Sequence, residues 1–146
     1  RSRMSLTTVS STEEEVLTTP SSMPPNFNMA HYMKSMVKVK SLGAEMLGFC
    51  HFGIVSGGRD IDALFADHEK FMNDFRDGIV RAFGEDRSTA HVMKSTEHLW
   101  ERRFGEGLLK MPGSENFFSN LRLALTYGLM VDLGFRDSKY EERTDY

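Results

Sequence analysis

Cysteine is almost missing from the chain. Its one copy, Cys50, cannot close an internal disulfide, which excludes the stapled scaffold of small extracellular domains and points to a reducing, intracellular compartment. A surplus of positive charge is missing too. Lys and Arg number 18 against 21 Asp and Glu, a formal net charge of -3, whereas a nucleic-acid binder must neutralise phosphates with a basic surface. No nucleic-acid partner is expected, unless Lys34, Lys38, Lys40, Arg102 and Arg103 gather into one patch. Long apolar runs are also lacking: the longest, MLGFCHFGIV from Met46 to Val55, is about half of the roughly 20 residues that a membrane-spanning helix needs. That predicts no transmembrane span. No run of alternating apolar and polar residues is long enough to predict a strand, and no sequence repeat is visible.

What is there, 40% hydrophobic and 27% charged residues in a chain of 146, is the composition of one soluble globular domain. Residues 1–27 are rich in Ser and Thr, are broken by Pro20, Pro24 and Pro25, and read as an extended or disordered arm suited to lying along a partner. The opening RSRMSLTTVSST carries two arginines, many hydroxyls and no acid, the composition left by an organellar targeting peptide, although Glu13, Glu14 and Glu15 follow and Met4 offers another start. A mitochondrial or other organellar location after removal of a presequence is the expectation it carries.

Residues 28–134 read as a helical domain and residues 135–146 as a charged tail. Asn28 is placed to cap a first helix with Met29, Tyr32, Met33, Met36 and Val37 at helical spacing, ended by Gly43. The glycines of LGFCHFGIVSGGRD make a regular helix doubtful there. Asp60 then caps the clearest helix, whose stripe is Ile61, Leu64, Phe65, His68, Phe71, Met72, Phe75, Ile79 and Phe83, with Gly78 a place for a kink. A third helix starts near Asp86 or Ser88 and runs to Phe104. A fourth follows Pro112-Gly113, and its narrow polar stripe of Ser119, Arg122 and Thr126 predicts the most deeply buried helix. The fold class expected is all-α, a small bundle or helical-hairpin array of four to five helices with an extended N-terminal arm.

Several residues invite a chemical reading. In the third helix, His91, Lys94, His98 and Arg102 share one polar face. Two helical histidines chelate one metal four residues apart, but seven residues separate these backbones by roughly 10 Å, and Lys94 between them opposes a cation. A solvated face or a polar interface is therefore expected. His68 sits on the apolar stripe with no second ligand at a diagnostic spacing, so a satisfied core histidine is expected. Cys50-His51 lies between Phe49 and Phe52, where burial would raise the thiol pKa, and reads as core. The first helix concentrates Met29, Met33 and Met36 on one face, which suits either a partner or its own bundle.

Two segments, VRAFGEDRSTAHVMKSTEHLW and FFSNLRLALTYGLMVDLGFRDSKYEE, resemble the later helices of cytochrome c oxidase subunit Va. In that family an Arg-Ala helix end, an Asp turn and a Ser/Thr-Ala helix precede a last helix ending in Leu-Gly and an acidic stretch. The matching residues are Arg81-Ala82, Asp86, Ser88-Thr89-Ala90, Glu97, Leu133-Gly134 and Glu141-Glu142. The likeness covers about a third of the chain and fails between Gly53 and Phe83. It implies a peripheral, non-catalytic subunit on the inner side of the mitochondrial inner membrane.

The function expected is that of a non-catalytic accessory or scaffolding subunit of a larger assembly, with other protein subunits as partners. Its contact residues would be Met29, Met33, Met36, His91, Lys94, His98 and Arg102, and it needs no metal or cofactor. The alternative is a soluble helical enzyme or ligand-binding protein using His68, with or without Cys50-His51.

Overall fold

The fold is built on one long helix. In the computed structural model, which describes residues 9–12, 15–49, 53–101, 103 and 114–137, the order is β1 (Val9–Thr12), β2 (Glu15–Thr18), α1 (Met29–Lys40), β3 (Met46–Gly48), β4 (Ile54–Ser56), α2 (Gly58–Glu85), α3 (Thr89–Ser95), a 3-10 turn (Glu97–Leu99) and α4 (Ser114–Asp132). At 28 residues α2 spans about 42 Å. Ile61, Leu64, Phe65, His68, Phe71, Met72, Phe75 and Ile79 are all buried, and Phe83 is half-buried against Phe135, with ring centroids 4.1 Å apart. The expected stripe is thus the centre of the core.

Three local expectations about the helices need correction, two of them in α2. Asp60 lies inside the first turn, and the capping position falls to Gly57, which has no side chain to bond. No break occurs at Gly78. A Cβ there would lie 3.2 Å from Thr96 Cγ2 and 3.7 Å from Leu99 Cδ1, so the missing side chain lets the 3-10 segment cross close to α2. α4, third, is not the most buried helix: Phe117 is 62% and Leu123 39% exposed, and full burial begins only at Leu125. An apolar circumference is buried only where something covers it, and over the first turns of α4 that cover is partial: Phe118 and Leu121 pack against the core while Phe117 and Leu123 stay exposed.

The N-caps of α1 and α3 follow the sequence, while α1 ends at Ser41, two residues before the expected Gly43. Asn28 Oδ1 accepts from His31 N, and Ser88 Oγ accepts from His91 N. Asp132, at the end of α4, accepts from Asn28 Nδ2 at 3.0 Å and from Met29 N at 3.1 Å, so its carboxylate sits on the positive end of α1. α3 is shorter than its pattern suggested. Thr96 Oγ1 donates back to the Val92 carbonyl at 2.9 Å, and the chain tightens into the 3-10 turn before Trp100. Trp100 then meets Phe71 and Phe75 edge-on, each at 5.0 Å.

The chain is mostly helical, but a purely α class is too simple, because two antiparallel hairpins stand beside the helices. In one, Val9 pairs with Thr18 and Thr12 with Glu15. In the other, Met46 pairs with Ser56, Leu47 with Val55 and Gly48 with Ile54. Strands of three or four residues are too short for alternation to show in a sequence. No helix among the described residues is long and apolar enough to cross a membrane.

Candidate functional site

The buried polar groups converge where the N-terminal arm crosses the helices. β2 lies against α2, and its last residue Thr18, with Thr19 and Ser22 beyond it, is buried. His68, fully buried on α2, is bonded through both ring nitrogens. Thr18 Oγ1 lies 2.6 Å from Nδ1, and the Tyr32 hydroxyl, brought in by α1, lies 2.7 Å from Nε2. A neutral imidazole donates through one nitrogen and accepts through the other, and each hydroxyl can do either, so both tautomers are satisfied here.

Arg103 completes the cluster. Its side chain is 4% exposed, donates to the Thr18 carbonyl and to Asp67 Oδ2 at 2.6 Å, and lies over the Phe71 ring at 3.9 Å from the centroid. A buried guanidinium needs such a set of partners, since its charge cannot be shed. The cluster sets the protonation of its members. Burial, helped by the Arg103 charge, holds the His68 pKa down to about 3, with hydrogen bonding from Thr18 acting the other way. Burial also pushes the Tyr32 hydroxyl above the ordinary tyrosine range, opposed in part by Arg103. His68 is therefore a neutral ring whose two bonding positions are taken by hydroxyls of its own chain.

Beside Arg103 opens a cleft of about 210 Å³ lined by Asp67, Lys70, Phe71, Asp74, His98 and Leu99. Its charges are paired, Asp67 with Arg103 and Lys70 with Asp74. A second hollow of about 170 Å³ lies between the end of α1, β3 and the start of α2, and includes Lys40, Glu45 and Asp62.

The residues singled out in the sequence are dispersed. Met29 and Met36 are buried in this chain's own core, and Met33 packs on that core. His91, on α3, is half-buried, with Nε2 3.2 Å from Glu85 Oε2 and 3.3 Å from Ser95 Oγ. Lys94 is exposed on α3, while His98 is exposed on the 3-10 turn at the mouth of the larger cleft. The break at Thr96 therefore puts the two histidines on different elements. Arg102, Cys50 and His51 lie outside the described residues. Among the described residues no group of three or more His, Cys, Asp and Glu is placed to hold a metal ion.

Sequence reasoning placed His68 inward but missed what surrounds it. Tyr32 was legible as part of the inward stripe of α1. Thr18 sits in a segment without periodicity, and a single arginine in a charged run gives no sign of burial. No family model, curated protein or solved structure matches the chain.

Proposed function

We propose that the chain is a non-catalytic accessory or scaffolding subunit of a larger protein assembly. The observation that carries this reading is the state of His68. The residue best suited to proton transfer is fully buried, and both its nitrogens are occupied in fastening the arm to α1 and α2. A general base must reach the proton it abstracts, directly or through one water. Here the bonding capacity is spent on structure.

The surface supports the same reading. In the β3–β4 hairpin, Leu47 and Val55 turn toward the core, while Met46 and Ile54, 60% and 67% exposed, face away from it. Val37 and Leu42, at the end of α1 and just beyond it, are exposed as well. Exposed apolar side chains of this size favour contact with another subunit. The resemblance to cytochrome c oxidase subunit Va directs the proposal to a mitochondrial, respiratory-type complex, with the chain peripheral to the membrane.

The test is the native mass of the untagged protein in gentle extracts of its source, with co-migrating proteins identified by mass spectrometry. A stable complex well above the 16.7 kDa of the chain, containing other proteins, is expected. A chain found free, or only with copies of itself, would overturn the reading. His68→Gln separates the enzymatic alternative, since it should leave complex membership intact apart from a loss of stability.

A further inference from the structure

Residues 16–44 contain no Asp or Glu, although the chain as a whole has a formal net charge of -3. The fixed charges of this segment are Lys34, Lys38 and Lys40, and all three belong to α1. That helix turns Met29, Tyr32 and Met36 into the core, which leaves Ala30, His31, Lys34, Val37 and Lys38 exposed on its other side. Lys40 lies 3.8 Å from Asp62 Oδ1 on α2, whereas Lys34 and Lys38 make no ion pair among the described residues. Asp132, at the start of α1, is taken up by Asn28 and the Met29 amide. Beside the lysines stand Val37, 67% exposed, and Leu42, 71% exposed just past the helix end. The needs of the helix account for only part of this. Lys38 and Lys40, in the last turn, complement the negative end of the α1 dipole. Lys34 lies too far back for that, and an exposed β-branched valine costs helix propensity without any gain from the core.

We infer that this acid-free face of α1 docks on a membrane surface rich in anionic lipid headgroups. Charge complementarity gives the sign of the partner, and the kind of side chain gives its class. Lysines are compact charges on long apolar stems, which lie along an interface while each ammonium stays among phosphates. Each is worth about fivefold in binding to an anionic leaflet, and apolar side chains between them bury area at the acyl boundary. An acidic protein is the poorer fit, because protein interfaces are anchored by Arg and aromatic side chains and are depleted in Lys. The exposed side of α1 has no Arg, Tyr, Trp or Phe. This lipid contact goes beyond the subunit reading proposed above and does not depend on it. It leaves the hairpin pair, Met46 and Ile54, for a protein neighbour.

The test is co-sedimentation of the purified full chain with vesicles of phosphatidylcholine alone, or of phosphatidylcholine with about one-third phosphatidylglycerol. At about 50 mM salt the anionic vesicles should be preferred by a factor of roughly 25 or more, and about 300 mM salt should remove most of that preference. Lys34→Gln with Lys38→Gln should weaken binding to the anionic vesicles roughly 25-fold. Lys94→Gln, which removes an exposed lysine of α3, should leave it unchanged. Val37→Ser with Leu42→Ser should weaken it too, which a purely ionic contact would not show. All of these side chains are exposed, so each variant should keep the helical circular dichroism of the wild type. Failure to bind the anionic vesicles, equal binding to both kinds, equal losses from Lys94→Gln and the α1 pair, or indifference to the apolar pair would each overturn the inference. Release from the vesicles by soluble polyglutamate at equal charge would also overturn it, and would give the face to an acidic protein.

Discussion

Lowering the pH through the ordinary histidine range should loosen this protein through one residue. In the unfolded chain His68 takes up a proton near pH 6.5, whereas in the folded protein burial and Arg103 hold the ring neutral down to about 3. Below pH 6.5 the unfolded state therefore binds one more proton than the folded state. The contribution is fully present above that pH and is lost progressively as the pH falls toward 3. Each unit is worth about 1.4 kcal/mol, so roughly 3 kcal/mol should be gone by pH 4.5 and about 5 kcal/mol by pH 3. The groups facing the ring do not relieve it. The Thr18 and Tyr32 hydroxyls are neutral, and the carboxylate of Asp67, the residue before His68, is engaged by Arg103. Urea unfolding followed by circular dichroism between about pH 7.5 and 4.5 measures the slope, with His68→Gln as the reference. Glutamine keeps one donor and one acceptor but does not titrate. The wild type should lose stability more steeply than the variant by about 1.4 kcal/mol per unit. Parallel loss in the two proteins would refute the account of His68 as a buried neutral ring.

Other perturbations test neighbouring parts of the structure. Tyr32→Phe removes the partner of His68 Nε2 and should cost about 1–3 kcal/mol in denaturant unfolding, while leaving the helical signal unchanged. Gly128→Ala and Gly78→Ala should differ sharply. The first forces a Cβ against the Ser22 backbone, should cost several kcal/mol, and should make the arm sensitive to mild protease. The second meets the Thr96 methyl at 3.2 Å and Leu99 Cδ1 at an ordinary 3.7 Å, and the gain of about 1 kcal/mol in helix propensity should leave the melting temperature within a few degrees of wild type. Asn28→Ala removes both the α1 cap and one bond to Asp132, and a loss of about 1–2 kcal/mol in urea unfolding is expected.

The parts of this fold that were legible in the sequence are those that local chemistry decides. The stripe of α2 repeats over about six turns, and any helix with that pattern must bury the face carrying Leu64, Phe71 and Phe75. Asn28 and Ser88 act as caps because their oxygens reach an amide three residues on, wherever the helix is later packed. Other features depend on distant partners. The shortening of α3 follows from Thr96, whose position on the inward face disguised its hydrogen bond to Val92. The burial of Arg103 depends on Asp67, Phe71 and the Thr18 carbonyl, none of them near it in sequence. His68 was correctly placed inward, but its partners come from the arm and from α1, which periodicity cannot bring together. For α4, the pattern gave the apolar circumference without saying which turns would be covered.

The bonds between Asn28 and Asp132 and between Ser22 and Leu125 join positions 104 and 103 residues apart. During synthesis at roughly 5–20 residues per second, the arm therefore emerges about 5–20 s before the helix that will receive it. A segment made early is thus placed only when one made much later arrives. Over that interval the Ser/Thr-rich stretch is open to any modifying enzyme, protease or import factor that meets the nascent chain. Once α4 arrives, Thr18 and Ser22 pass out of reach, so the time available to such factors is set by the rate of translation.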